Sequence, residues 1–295
     1  MMPLISVLMP LFNATDTLSL ALASLQAQTC EDWECIIVDD GSTDHPERII
    51  QTVSDFRIQY HCLDRNRGRG YARQRALEIA QGRYITFLDA DDWIYPDKFR
   101  QQVELLEIEP GLAIVSTGMA ISNASDQLVG VRSANQNEPV LHPPMKTPAM
   151  PPLAFAPSMI VADVAKGTGF DTSFPISEDA DFLLRILLRQ DYAVLPSCLY
   201  VYRELSSTTL NKVSSSLDYC CQMFRKQFDQ HPVHCMLEMV KARGKQLIYH
   251  SAAGFGMWDF MIARRSNAPN ALDHQQYQNA WQTVSAIAAG YAVAV

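Results

Sequence analysis

Several features that mark large protein classes are missing from this 295-residue chain. Its seven cysteines are an odd number, form no C-x-x-C pair and include the neighbours Cys220 and Cys221, which indicates neither a disulfide framework nor a four-ligand zinc site. A reducing, cytoplasmic setting fits that usage. No apolar run is long enough to cross a bilayer. The opening MMPLISVLMPLF has no basic residue ahead of its apolar stretch and carries Pro3 and Pro10, so it reads as a first strand rather than a leader. Internal repeats and low-complexity tracts are absent. Positive charge is scarce: 24 Lys+Arg stand against 32 Asp+Glu, a net charge of −8, which excludes a general nucleic-acid binder. The deficit is uneven. Residues 1–200 carry 15 basic against 26 acidic side chains, whereas 201–295 carry 9 against 6, leaving the C-terminal part free to meet an anionic surface.

What is present is an ordinary globular composition, 48% hydrophobic and 19% charged. Through the first hundred residues, short apolar runs (LISVLMPLF, ECIIVDD, FRIQYHCL, RYITFLDADD) alternate with helical patterns near 15–28, 46–54 and 71–80. Strands buried on both faces and separated by helices predict an α/β fold with a mostly parallel sheet, whose ligands bind at the carboxyl ends of the strands. Those ends are polar: Asn13, then Asp39 to Ser42, then Asp64 to Gly70, then Asp89 to Asp92. One such end is a turn; four together predict a shared crevice.

The segment 139–157 holds seven of the sixteen prolines and is expected to be an extended surface loop, crossing near the crevice. SMIVADV reads as a further strand, and ISEDADFLLRILLRQ as a helix that Ser177 can cap. Beyond Tyr202 the pattern turns helical, with amphipathic segments near 215–229, 234–250, 252–265 and 271–289. These divide the chain into a catalytic unit, 1–205, and a helical C-terminal extension, 206–295.

Three aspartates at one strand end, LDADD, repel one another, and a divalent cation resolves the conflict. Mg²⁺ or Mn²⁺ takes one or two carboxylates and fills its other positions with water and phosphate oxygens, so D-x-D at a strand end suits a diphosphate clamp. DADDWIYPDKF lacks the central glycine and closing glutamate of a calcium loop. His231 and His234 lack a third metal partner. The preceding segment packs Arg65, Arg67, Arg69, Arg73, Arg75 and Arg83 around two glycines, cations able to meet phosphates, with Arg75 and Arg83 read as solvated helix-face residues.

Five motifs in fixed order then resemble a family 2 glycosyltransferase: Pro10-Leu11-Phe12-Asn13; VDDGSTD from Val38; Asn66, Gly68, Ala72, Arg73 and Gln74; LDADD; and SEDAD from Ser177. GFD at 169–171 and YVYR at 200–203 extend the likeness. Phe12 stands for the family's tyrosine and Gln74 for its second asparagine. The resemblance implies a GT-A fold and an inverting enzyme that uses Mn²⁺ or Mg²⁺ to move one sugar from a nucleotide-diphospho-sugar, with UDP-sugars favoured, to a glycan or lipid-linked acceptor of a bacterial surface polysaccharide or lipopolysaccharide. It implies that Asp40 meets the base, beside Phe12 and Arg73, with Pro10, Asn13, Asn66 and Gly68 in the same donor site. Asp89 would bind the ribose side, Asp91 the metal and Arg203 the diphosphate. Asp179 would be the base that deprotonates the acceptor, with Glu178 as the second candidate, and Asp92 would fix the turn and the helix after it.

QNAWQ at 278–282 is not the Q-x-x-R-W motif of processive synthases, so one sugar per encounter is expected. Two alternatives stay open at this level: a Mg²⁺-dependent phosphohydrolase or nucleotidyltransferase on the same acidic crevice, and a non-catalytic glycan-binding relative. GFGMWDFMIARR, 254–265, joins large apolar residues to a basic end. It suits a core helix, a homodimer contact, or peripheral attachment to the inner face of a membrane.

Overall fold

The computed structural model describes residues 2–133, 137–203, 209–258, 261 and 266–292. The apolar runs become strands and the intervening periodic segments helices: β1 (Ile5–Leu11), α1 (Thr15–Gln26), β2 (Trp33–Asp39), α2 (Glu47–Val53), β3 (Ile58–Cys62), α3 (Arg69–Ile79) and β4 (Tyr84–Phe87). There follow β5 (Trp93–Ile94), α4 (Lys98–Ile108), β6 (Leu112–Ser122), β7 (Leu128–Arg132), β8 (Val140–His142), β9 (Met159–Val161), α5 (Ala162–Thr168), α6 (Glu178–Leu187) and β10 (Asp191–Arg203). Three longer helices close the described chain: α7 (Leu210–Lys226), α8 (Pro232–Gly254) and α9 (Ala271–Ala292).

One sheet runs in the order β3-β2-β1-β4-β9-β6-β10-β5, with β7 on β6 and β8 on β10. Strands β3, β2, β1 and β4 pair in parallel, as do β6 and β10. Between these blocks β9 is antiparallel to both β4 and β6, so the blocks point the same way. The carboxyl ends of β1, β2, β4 and β10 therefore open on one edge. The period of two along each strand feeds two cores: Val7, Met9, Cys35 and Ile37 pack on one face with Leu18 and Leu22 of α1, while Leu8, Ile36 and Val38 pack on the other with Ala72, Ala76 and Phe182.

The helical extension divides in its packing. Tyr277, Ala280 and Val284 of α9 join the first core, and the Trp93 ring lies 5.4 Å from Tyr277 and 5.8 Å from Trp281. The tryptophan of QNAWQ is thus a packing residue. In contrast, α7 and α8 meet α6 in a third core of Phe174, Leu184, Met223, Phe224 and Cys235.

Three local expectations are corrected. The proline-rich segment 139–157 is not simply a surface loop: Val140–His142 pairs with β10, and Leu153 and Phe155 are buried, the Phe155 ring 4.0 Å from Phe87. Apolar side chains between prolines carry it inward, although it supplies nothing to the crevice lining. SMIVADV is a strand only to Val161, after which α5 begins. Ser177 precedes α6 but does not cap it: its backbone sits at φ 66° and its hydroxyl lies 3.0 Å from that of Ser216 on α7.

Candidate active site

A cleft of about 990 Å³ opens along the carboxyl edge of the sheet. Pro10, Phe12 and Asn13 reach it from the end of β1, Asp40 from β2, Asn66 and Gly68 from the loop before α3, Asp89 and Asp91 from the turn after β4, and Arg203 from the end of β10. Nine of the residues singled out in the sequence thus share one cleft. Arg73, Glu178 and Asp179 are not in its lining.

The rim is built by backbone geometry. Gly41 follows Asp40 at φ 77°, and a Cβ there would lie 2.9 Å from the Arg65 carbonyl carbon, so the turn admits only glycine. Asp40 is buried; its two oxygens accept from the backbone N–H groups of Arg67 at 2.6 Å and Gly68 at 2.8 Å. A carboxylate has about four acceptor positions, so Asp40 keeps capacity for a ligand while holding this loop. Asn13, at φ 49°, accepts from the Thr43 N–H at 2.9 Å. Phe12 is 47% exposed, an aromatic face left open at the cleft mouth.

The three aspartates of LDADD have different partners. Asp89 accepts from the Arg73 guanidinium at 2.7 Å. Burial pushes its carboxyl up, but Arg73 and Arg69 outweigh this and hold it below the usual carboxylate range. Asp91 has no hydrogen bond or ion pair with another side chain among the described residues, and burial together with Asp89 pushes its carboxyl up. Asp92 is fully buried and accepts from the Tyr200 hydroxyl at 2.7 Å and the Arg203 N–H at 2.9 Å. The sequence assigned Asp92 to the turn and the helix after it; its carboxylate fastens that turn to β10. Burial, then Asp91 and Asp89, push its carboxyl well above the ordinary range despite those two donors.

Arg73 lies beneath the cleft floor rather than in it. Its side chain is 1% exposed, donates to Glu178 at 2.6 Å as well as to Asp89, and sits 4.7 Å over the Phe155 ring. Glu178, fully buried, also accepts from Arg69 at 2.7 Å. Two arginines therefore occupy it, which suits a residue that positions Arg73 and Asp89. Asp179, at the first turn of α6, is half-buried, bonds the Ala180 N–H at 2.8 Å and acts electrostatically on cleft-lining Arg69. Arg203 lines the cleft but is held by Asp126 at 2.7 Å. As expected, Arg75 and Arg83 form surface pairs with Glu78 and Glu107. Gln74 accepts from the Phe170 N–H at 2.7 Å, bracing the GFD segment against α3.

Residues that sequence reasoning left out also line the cleft. Arg69 was noted only as one of six arginines, and Lys212, Val213 and Ser216 come from α7, far along the chain. Lys212 is exposed and has no ion pair among the described residues; no motif marks it.

Among the described residues no three His, Cys, Asp or Glu side chains are grouped to hold a metal by themselves. The donor set does fit Mg²⁺ or Mn²⁺ beside a diphosphate, because these ions need only one or two carboxylates and take the remaining oxygens from phosphate and water. Asp91, without another partner, would supply the first.

In sequence and in fold the chain is similar to known glycosyltransferases. Residues 6–150 match the family model described as glycosyl transferase family 2. Over 121 residues the chain is 42% identical to the Bacillus subtilis putative teichuronic acid biosynthesis glycosyltransferase TuaG, covering 40% of this chain and 48% of that one. Over 110 residues it is 40% identical to the Escherichia coli UDP-Glc:alpha-D-GlcNAc-diphosphoundecaprenol beta-1,3-glucosyltransferase WfaP, covering 37% and 43%. These matches span under half the length of either relative. The fold is similar to that of S. aureus TarS 1-349 in complex with UDP-GlcNAc, with a TM-score of 0.64 at 16% identity over 96% of this chain and 81% of that one. It is also similar to the mannosyltransferase PcManGT from Pyrobaculum calidifontis in complex with GDP-Man and Mn2+, with a TM-score of 0.59 at 16% identity over 99% and 87%. Residues 6–150 thus match glycosyl transferase family 2, and they carry four of the five ordered motifs on a sheet similar to that of GT-A glycosyltransferases.

Proposed function

We propose that this protein is an inverting, cation-dependent glycosyltransferase that moves one sugar from a nucleotide-diphospho-sugar to an acceptor hydroxyl in bacterial surface polysaccharide or lipopolysaccharide synthesis. The observation that carries the proposal is the convergence of Asp40 from the end of β2 with Asp89 and Asp91 from the end of β4 in one cleft with an open aromatic face at Phe12. UDP-sugars are the favoured donors, in line with the UDP named for TarS and the UDP-Glc named for WfaP. WfaP's diphosphoundecaprenol substrate supports a lipid-linked acceptor.

In this reading Phe12 stacks on the base and Asp40 accepts from a ring N–H, with Pro10, Asn13, Asn66 and Gly68 shaping the pocket around them. Asp89, kept ionised by Arg73, accepts from the ribose. Arg203, Arg69 and Lys212 face the diphosphate with positive charge. A Mg²⁺ or Mn²⁺ ion held by Asp91 would offset the charge that grows on the leaving diphosphate. Asp179 takes the proton of the attacking hydroxyl, because Glu178 is buried against two arginines. In-line attack with one base inverts the anomeric carbon. Glycosyl transfer is favoured over the phosphohydrolase alternative, since Asp89 and Asp92 are both engaged and Asp91, the aspartate of the turn without a side-chain partner among the described residues, is assigned to the cation.

The test is release of nucleoside diphosphate from a panel of UDP-, GDP- and dTDP-sugars with Mn²⁺ and an acceptor. One donor should be consumed, and Asp179→Asn should stop transfer while donor binding persists. Release of inorganic phosphate with no sugar transferred would overturn the proposal.

A further inference from the structure

Helix α8 is built inside out. Every seventh residue, Cys235, Ala242 and Tyr249, is buried, and Cys235 and Met239 pack beside Met223 and Phe224 of α7. The larger apolar residues face outward: Val233, Met236, Leu237, Val240, Leu247 and Ile248 are each 53–71% exposed. At about 100° per residue these six fall within one stripe, roughly a third of the helix circumference. Phe255, 82% exposed, continues it past the last turn. Over these residues the stripe is about 33 Å long at 1.5 Å per residue.

Its flanks are basic. The helix carries Lys241, Arg243 and Lys245 against Glu238 as its one acid. Helical geometry sets Lys241 and Lys245 on one side of the stripe and Arg243 with His250 on the other. Glu238 is turned inward, half-buried, and pairs with Lys241, while Arg243 pairs with Asp218 of α7. Lys245 has no ion pair among the described residues. This basic-rimmed stripe belongs to the part of the chain with excess positive charge, in a protein whose first 200 residues are strongly negative.

We infer that α8 lies flat on an anionic lipid bilayer, with the stripe among the acyl chains and the lysines and arginine at the headgroups. Charge complementarity selects this occupant. A two-fold contact between copies would bring basic rims of the same sign together, whereas an anionic surface neutralises them. No helix among the described residues is long and apolar enough to cross the membrane, so attachment is in the plane of the interface. Helix α7 joins this face to the cleft: Lys212, Val213 and Ser216 line the cleft, while Ser214 and Asp218 hold Gln246 and Arg243 of α8. The transferase reading is used only to assign the bilayer as the place where a lipid-linked acceptor waits. The 254–265 segment singled out in the sequence contributes Phe255 and half-exposed Met257; its Asp259, Phe260 and Ile262 to Arg265 lie outside the described residues.

The test is flotation of the full-length chain with phosphatidylglycerol or phosphatidylcholine vesicles. Binding to phosphatidylglycerol should exceed that to phosphatidylcholine and weaken with salt. It should fall about tenfold or more in the double variant Leu247→Glu, Ile248→Glu, and also in Lys241→Glu, Lys245→Glu. All four positions are exposed, so circular-dichroism melting should match the parent. Absence of phosphatidylglycerol binding, or binding unchanged by both double variants, overturns the inference. So does a parent that light scattering shows to be a dimer and that the Leu247→Glu, Ile248→Glu variant makes a monomer, since a second copy then covers the stripe. Diphosphate release without vesicles separates the two ideas: vesicle binding with no release from any donor leaves the bilayer face standing and removes the transferase.

Discussion

The guanidinium of Arg73 and the carboxylate of Glu178 meet at 2.6 Å with both side chains buried, which joins α3 to α6 beneath the candidate active site. Removing Arg73 leaves buried Glu178 with Arg69 alone and strips Asp89 of its guanidinium partner. Arg73→Ala should therefore destabilise the protein by about 3–5 kcal/mol in denaturant titration. Donor affinity should fall too, because Asp89 loses the donor that orients it and keeps it ionised. Unchanged stability would mean that the pair is replaced by water.

Tyr200 and Asp92 form a second buried contact, between β10 and the acidic turn. Tyr200→Phe keeps the ring and removes the donor, leaving one Asp92 oxygen unsatisfied at a cost of about 1–3 kcal/mol. Because Asp92 also holds the Arg203 N–H, the substitution should raise KM for the donor more than Arg75→Ala, whose side chain makes only a surface pair. Steady-state kinetics on both variants decides this.

Asp91→Asn probes the cation. The side chain bonds no other residue among those described, so the melting temperature without metal should stay within a degree or two of the parent. The increase in melting temperature that Mn²⁺ and a UDP-sugar together produce should disappear. Retention of that increase would move the cation elsewhere.

Lys98 provides a pH test away from the cleft. It is fully buried, bonds Thr86 and Gln102 at 2.8 Å each, and has no carboxylate partner among the described residues. Burial alone pulls its pKa from 10.5 to about 7. The folded state therefore releases a proton that the unfolded state keeps. Between pH 7 and 10.5 the unfolded chain binds more protons, and stability rises with pH, by up to about 1.4 kcal/mol per unit; below pH 7 the contribution is flat. Lys98→Met should remove this slope in unfolding titrations at a series of pH values. A slope identical in parent and variant would show that Lys98 is charged in the fold.

Most of the site's lining was legible because each contributor sits at a strand end, where a period-two apolar run stops at Asn13, Asp40 or Asp89. Strand ends are local features, and topology brings them together without further instruction. Arg69 was visible only as one basic residue among six, since nothing local separates it from Arg75, whose partner is Glu78 on the same helix. Lys212 and Ser216 carry no local signal at all, because they reach the cleft through the packing of α7 on α6.

The amino-acid sequence by itself determined the strand and helix periods, the acidic edge and the resemblance to family 2 glycosyltransferases. Backbone geometry and nearest-neighbour chemistry are enough for these. Tertiary structure decided which aspartate is paired, which is free and which is buried, because Arg73, Tyr200 and Glu178 come from elements distant in sequence and a carboxylate's charge state depends on what lies within a few ångströms. It decided the fate of the amphipathic helices in the same way. Period alone shows that a helix has an apolar face, but only packing shows that α9 turns its face to Trp93 while α8 leaves its own uncovered.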